Sequence, residues 1–385
     1  MVQDDIFVTL TGYVLYMFTV ILSYKFSWKT CNWYAIISFT LLLGLRGNGI
    51  DYHGHSYQFD YLYSLDYSLF DERFYNADYN YHKQNFEFGY LIILKICKIL
   101  KLSNIAFFMT IAFVQMFFLD MFIRKFRSCK IKQLLVFFFF TTLMFVESFN
   151  VMRQLIAILM YINIIPFLEH RDLKRYFIYT GLLYMVHAST VILLPLYFFI
   201  HKDFVNKKST QIIIYLCAIV MSNFVIDYIL NLFDIIFNLF DEKGTKLIGY
   251  LNTEKEVVKS SSIVSVKITT YIFRFVGIAF LIANSIDFKK KYGIYGIILY
   301  NLTFIGFVIQ EFIFGIGIQR LNYYFYYISF IVLSLMCYMN IIEKQHGIKG
   351  IVYSYTLMVV YFMWFVNSIS QGAAECAPYV FSKLL

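Results

Sequence analysis

Charged side chains are scarce in this sequence, and a few stand where chemistry is the simplest reason for keeping them. Arg46, Arg153 and Arg320 each lie near the end of an apolar stretch, away from the lysine and arginine clusters that fill other loops. A guanidinium presents a planar fork of donors that matches two phosphate oxygens, so three arginines on separate turns could together grip a diphosphate. The competing reading pairs each of them with Glu147, Glu311 or Asp51 as a structural ion pair. Buried pairs stabilise weakly and are seldom kept in triplicate, which favours the ligand reading for the set. Asp51, Glu87 and His187 are the groups able to accept a proton from a hydroxyl. Arg274 falls inside an apolar run and needs a partner there; Asp227 and a lipid phosphate are the candidates, and a structural pair is the simpler account.

Two other patterns invite chemistry and do not carry it. Asp51-Tyr-His-Gly-His55, with Asp60 and His82 nearby, has the residue types of a metal site, but the spacing is loose and no ligand quartet is evident. No metal and no cofactor are assigned. The six cysteines are widely spaced and form no C-x-x-C pair, which excludes a disulfide framework and a zinc ribbon.

The elements that must position these groups are membrane helices. Of 385 residues 60% are hydrophobic and only 15% charged, and mean hydropathy is +0.65, too apolar to cover a soluble surface. Only 3 prolines and 18 glycines argue against linkers or disorder, so a single integral membrane domain over residues 1–385 is expected. The net charge of +9 does not indicate nucleic acid, because the basic residues bunch in short loops between apolar runs. About 20 apolar residues cross a bilayer as a helix. On that measure the runs at 6–24, 33–45, 105–123, 134–149, 154–168, 212–230, 263–285, 293–310, 323–342 and 351–369 give about ten crossings, some short, in an all-α polytopic protein. The acidic start, without a small-residue cleavage site, implies that the first helix is retained.

Lys25 and Lys29, Arg124 to Lys132, Arg171 to Arg175, Lys202 to Lys208, Lys289 to Lys291, and Lys344 with Lys349 mark the cytoplasmic loops, which puts both termini outside. Residues 176–199 are basic at both flanks and so read as a hairpin of two short helices turning near His187. Residues 86–101 read as a re-entrant or interfacial helix, with Lys95, Lys98 and Lys101 reaching to headgroups. Two long polar segments, 46–85 and 231–262, are then extracytoplasmic loops. The first mixes Asp51, Asp60, Asp66, Asp71, Glu72 and Asp78 with many tyrosines, a surface suited to sugars, although a plain solvated loop has the same composition. The second begins as an apolar surface helix that could act as a lid.

Five short motifs now occur in order: Arg46-Gly-Asn-Gly-Ile-Asp-Tyr52, Phe86-Glu-Phe-Gly-Tyr90, Met152-Arg-Gln-Leu-Ile-Ala157, Met185-Val-His-Ala-Ser189 and Gln319-Arg-Leu-Asn-Tyr-Tyr324. Together they resemble the EpsG family, which belongs with the Wzy-type polymerases of O-antigen and exopolysaccharide repeat units. Phe88 stands where the family has proline. The resemblance implies a GT-C-like membrane glycosyltransferase. It would join undecaprenyl-diphosphate-linked oligosaccharides at the outer, periplasmic or extracellular face of the bacterial cytoplasmic membrane, without a nucleotide sugar or a metal. Tyr52, Gln154 and Tyr323 join Arg46, Arg153 and Arg320 as substrate-binding candidates on these motifs. A chain-length regulator and membrane lipids are candidate partners; nucleic acid is not. The chemistry agrees, since a departing diphosphate gains charge in the transition state and arginines can stabilise it. A flippase or transporter, and a ligase that moves finished glycan, remain the alternative readings.

Overall fold

The computed structural model describes residues 2–26, 32–49, 52, 55, 56, 59, 87–221, 264–312, 319–377, 379 and 380. Among the described residues regular structure is helical, apart from an isolated bridge at Arg46, where the Gly47 N–H donates to the Val380 carbonyl at 2.6 Å. The chain forms two compact units, residues 1–197 with 361–385, and residues 198–360.

The first unit contains α1 (Val2–Phe26), α2 (Trp33–Gly44), α3 (Phe88–Ile99), α4 (Asn104–Ile123), α5 (Lys130–Met144), α6 (Met152–Glu169) and α7 (Leu173–Val186). Starts are set by local side-chain caps: Asn32 accepts from the Ala35 N–H, Ser103 from Ala106 and Asp172 from Arg175. Helix α4 is central, packing against α2 on one side and α6 on the other, while α1 lies on α5. Asp120, buried on α4, is partnered from two directions. The Tyr24 hydroxyl donates to Asp120 at 3.0 Å, and Arg124 lies 3.2 Å from the same carboxylate.

The second unit contains α8 (Lys208–Met221), α9 (Val264–Ala283), α10 (Ser285–Phe312), α11 (Gln319–Tyr326) and α12 (Ser329–Ile341), and α13 (Gly347–Ser370) runs out of it. Helix α10 is broken at Gly293, whose φ of +57° separates a basic first segment from the apolar run that begins there. Arg274 is partnered by Glu311 at 3.8 Å, and the Tyr215 hydroxyl donates to the same carboxylate at 3.0 Å. The sequence had pointed to Asp227 or a lipid; the pairing across α9 and α10 depends on packing, and Asp227 lies outside the described residues.

Among the described residues six helices have the length and apolarity to cross a bilayer, and four apolar helices are shorter. The run expected at 134–149 folds as α5 and a separate 3₁₀ turn, Val146–Phe149. Helix α3 has 12 residues, roughly 18 Å at about 1.5 Å each, too short for a hydrocarbon core of about 30 Å. Lys95 does not reach outward as expected. It follows Leu91 by four residues on the packed face of α3 and is buried.

The segment after α7 turns back on it, as the basic flanks required. The Tyr176 hydroxyl donates to the Leu193 carbonyl at 2.6 Å, and the rings of Tyr176 and Tyr197 stand 5.7 Å apart. His187 occupies the turn in extended conformation, between α7 and the 3₁₀ helix Ala188–Leu193. The long segment 231–262 lies outside the described residues, as does most of 46–85.

Candidate functional site

Three distant stretches of the first unit converge on Glu87, the residue before α3. Its Oε2 takes a hydrogen bond from Arg153 Nη1 at 2.5 Å, and its Oε1 takes one from the Ala188 N–H at 3.0 Å. His187 Nδ1 lies 3.7 Å from Oε1 and 3.0 Å from Ser189 Oγ, and it also accepts from the Ser189 N–H. Arg153 sits in the first turn of α6, Glu87 ahead of α3 and His187 at the hairpin turn, so each comes from a helix end rather than from a helix middle. Gly89 permits the convergence. A Cβ there would lie 2.7 Å from the Met185 carbonyl oxygen, so any side chain would force α3 away from the hairpin.

The cluster is partly open. Arg153 is 23% exposed and His187 23%, with Glu87 at 14%. Below it the contacts are closed: the Arg153 guanidinium lies 5.3 Å over the ring of Tyr90, which is fully buried, and the Tyr90 hydroxyl meets His55 Nδ1 at 2.7 Å. Burial, with Arg153 and then Arg46 adding to it, holds the His55 imidazole well below the usual histidine range. His55 is therefore neutral at pH 7.

Arg46 is turned inward. It is 1% exposed, donates to the Ser148 carbonyl at 2.9 Å and to Met152 Sδ at 2.7 Å, and lies 4.9 Å over the Phe149 ring. Gly49 follows with φ +124°, where a Cβ would come within 2.7 Å of the Phe149 carbonyl oxygen; this explains the second glycine of the first motif. Tyr52 is also packed, its ring stacked on Phe108 at 4.6 Å, and Gln154 is buried beside Arg153 on α6. Asp51 lies outside the described residues, as do His53, Asp60 and His82 of the metal pattern. Arg320 and Tyr323 belong to the second unit: Arg320 is exposed at the start of α11, and Tyr323 is buried with its ring 4.8 Å from that of Tyr327.

The pairing of Arg153 with Glu87 was not among those the sequence suggested, which offered Glu147, Glu311 or Asp51. Nor was the bond between Tyr90 and His55. The available signal was that Glu87, Tyr90, Arg153 and His187 all fall within the ordered motifs. A further feature of this unit is a groove of about 840 Å³ along α1 and α2, lined by Val8, Gly12, Tyr16, Leu41, Leu42 and Leu45 among others. Nothing stands within 4 Å of where a Gly12 Cβ would be, and Leu45 is the neighbour of Arg46.

Apolar helices of spanning length and a charged cluster assembled at helix ends define a multi-pass membrane protein with a polar site. The EpsG family model matches residues 29–381, and the chain belongs to the EpsG family. It is a membrane protein of polysaccharide biosynthesis, of the polymerase kind. No curated protein and no solved structure matches the chain.

Proposed function

We propose that this protein polymerises undecaprenyl-diphosphate-linked oligosaccharide repeat units at the outer leaflet of the bacterial cytoplasmic membrane, by inverting glycosyl transfer that needs no metal. The observation that carries the reading is the Glu87–Arg153–His187 cluster. Arg153 and the Ala188 N–H already hold one anion, the Glu87 carboxylate, with donors that suit a phosphate oxygen equally well. A diphosphate that displaces the carboxylate meets Arg153 and His187 together. As the bond from the anomeric carbon to the diphosphate breaks, the charge accumulating on the leaving oxygens is stabilised by the guanidinium.

Glu87 has both oxygens engaged, so before substrate arrives it holds Arg153 and the Ala188 N–H in the places where the diphosphate takes over their bonds. The acceptor hydroxyl then needs another base, and Asp51 takes that role on the first long loop. The groove along α1 and α2 suits the hydrocarbon chain of a lipid carrier, because it is mostly apolar, unfilled at Gly12, and reaches the neighbour of Arg46. Gln154, beside Arg153 on α6, joins the proposed substrate-binding set, and a chain-length regulator is the proposed protein partner.

The test is purified protein in liposomes with a defined lipid-linked repeat unit, assayed in excess EDTA. A ladder of products supports polymerisation. Single-step transfer to a different acceptor indicates a ligase, and movement of the unit across the bilayer without new bonds indicates a flippase. Loss of turnover in EDTA, restored by Mg²⁺ or Mn²⁺, overturns the metal-free mechanism.

A further inference from the structure

Tyr52, His55, Ser56 and Phe59 are all in helical conformation and have the spacing of one helix face. Each contacts the α3–α4 pair. Tyr52 stacks on Phe108, Phe59 stacks on Phe107 with ring centroids 4.9 Å apart, and Asn104 Nδ2 donates to Ser56 Oγ at 2.5 Å. His55 reaches α3 through its bond to Tyr90. Stacked rings tolerate sliding, whereas a hydrogen bond weakens steeply with distance and angle. Tyr90 in turn presents its ring to Arg153 and stands 6.2 Å from Phe107. Both partners are neutral, and the His55 tautomer sets which of the Tyr90 hydroxyl and Nδ1 donates in this bond.

We infer that the Tyr90–His55 hydrogen bond is a clasp that sets the register of the 52–59 face on α3 and α4 and holds the Tyr90 ring under Arg153, making both residues positioning residues for the site. The role rests on the reading of that site as the diphosphate-binding centre. Neither side chain touches substrate. Tyr90 is fully buried and His55 is 5% exposed.

The test combines kinetics with a bridge between Ser56 and Asn104. Tyr90→Phe keeps the ring and loses the bond, so it should lower kcat about tenfold with little change in KM, the scale expected of one buried hydrogen bond. His55→Ala should do the same, and the double variant should be no worse than either single one. His55→Asn, which restores a polar atom near the place of Nδ1, should recover most of the loss. Ser56→Cys with Asn104→Cys, in a background without native cysteines, should bridge on oxidation or with a short bis-thiol reagent. Bridge yield should fall when Tyr90→Phe or His55→Ala is added, and bridging should restore turnover to His55→Ala.

Additive losses, or a bridged His55→Ala protein that stays inactive, would show that His55 acts on substrate directly and would overturn the clasp. Failure of the cysteine pair to bridge in the otherwise unaltered protein would overturn the seating itself. If the parent protein does not use lipid-linked substrate, the functional reading fails instead, and bridge yield still decides whether the clasp exists.

Discussion

Arg153 and Glu87 stand 66 residues apart in sequence and meet at 2.5 Å, with the backbone N–H of Ala188 closing on the other oxygen of the same carboxylate. Three helix ends are thereby fastened at one point, with Arg153 lying over Tyr90. An arginine so fixed is preorganised for an anion, because its rotamer freedom has already been lost on folding.

Arg153→Lys should therefore fail almost as badly as Arg153→Ala. The ammonium keeps the charge but loses the fork and the flat contact with Tyr90. A drop of roughly 100-fold in kcat/KM is expected for both, on the scale of a charge-assisted hydrogen bond. Product ladders from the liposome assay check this; polymer of ordinary length from the Lys variant would remove Arg153 from the diphosphate site.

Asp51→Asn keeps shape and removes the proton acceptor, so polymerisation should cease while donor binding stays nearly intact. His187→Gln should instead weaken binding of the lipid-linked donor. Binding by a fluorescent donor analogue and turnover are measured on the same preparations. Normal turnover in Asp51→Asn, with bound but unreacted donor in His187→Gln, would exchange the two roles.

Acid should destabilise the first unit through His55. Burial, Arg153 and Arg46 hold its folded pKa well below the usual value, and its bonded neighbour is the Tyr90 hydroxyl. Between the folded value and about 6.5 the unfolded chain binds a proton that the folded chain refuses, so the contribution is intact above about 6.5 and declines as pH falls below it. Thermal midpoints in detergent between neutral pH and pH 5 should fall for the parent protein. His55→Asn should flatten that slope, and an unchanged slope would assign the acid sensitivity elsewhere.

In the second unit, Glu311→Gln should destabilise strongly, because it leaves the Arg274 charge buried with its carboxylate partner gone. Breaking one side of a buried pair costs about 3–5 kcal/mol, whereas replacing both sides by apolar residues can be neutral. Glu311→Gln should lower the midpoint sharply, and Glu311→Leu with Arg274→Met should recover much of it. Equal losses for the single and paired variants would mean that the pair does more than neutralise itself.

Helices, their approximate ends, the hairpin at His187 and the short α3 were legible in the sequence, because hydropathy and charge act locally and leave a pattern within 20 residues or so. Membership of the family was legible for a related reason: the order of five motifs survives whatever their folding. The partners of the charges were not. Arg46 reads like a surface ligand yet is buried against Ser148, Met152 and Phe149, and Lys95 reads like an anchor yet lies inside α3's packed face. Glu87 could be named as a candidate, but its hold on Arg153 and Ala188 arises only where α3, α6 and the hairpin pack together. A charged group in an apolar surround takes whichever opposite charge or donor the packing brings within reach, and separation along the chain carries no record of that choice.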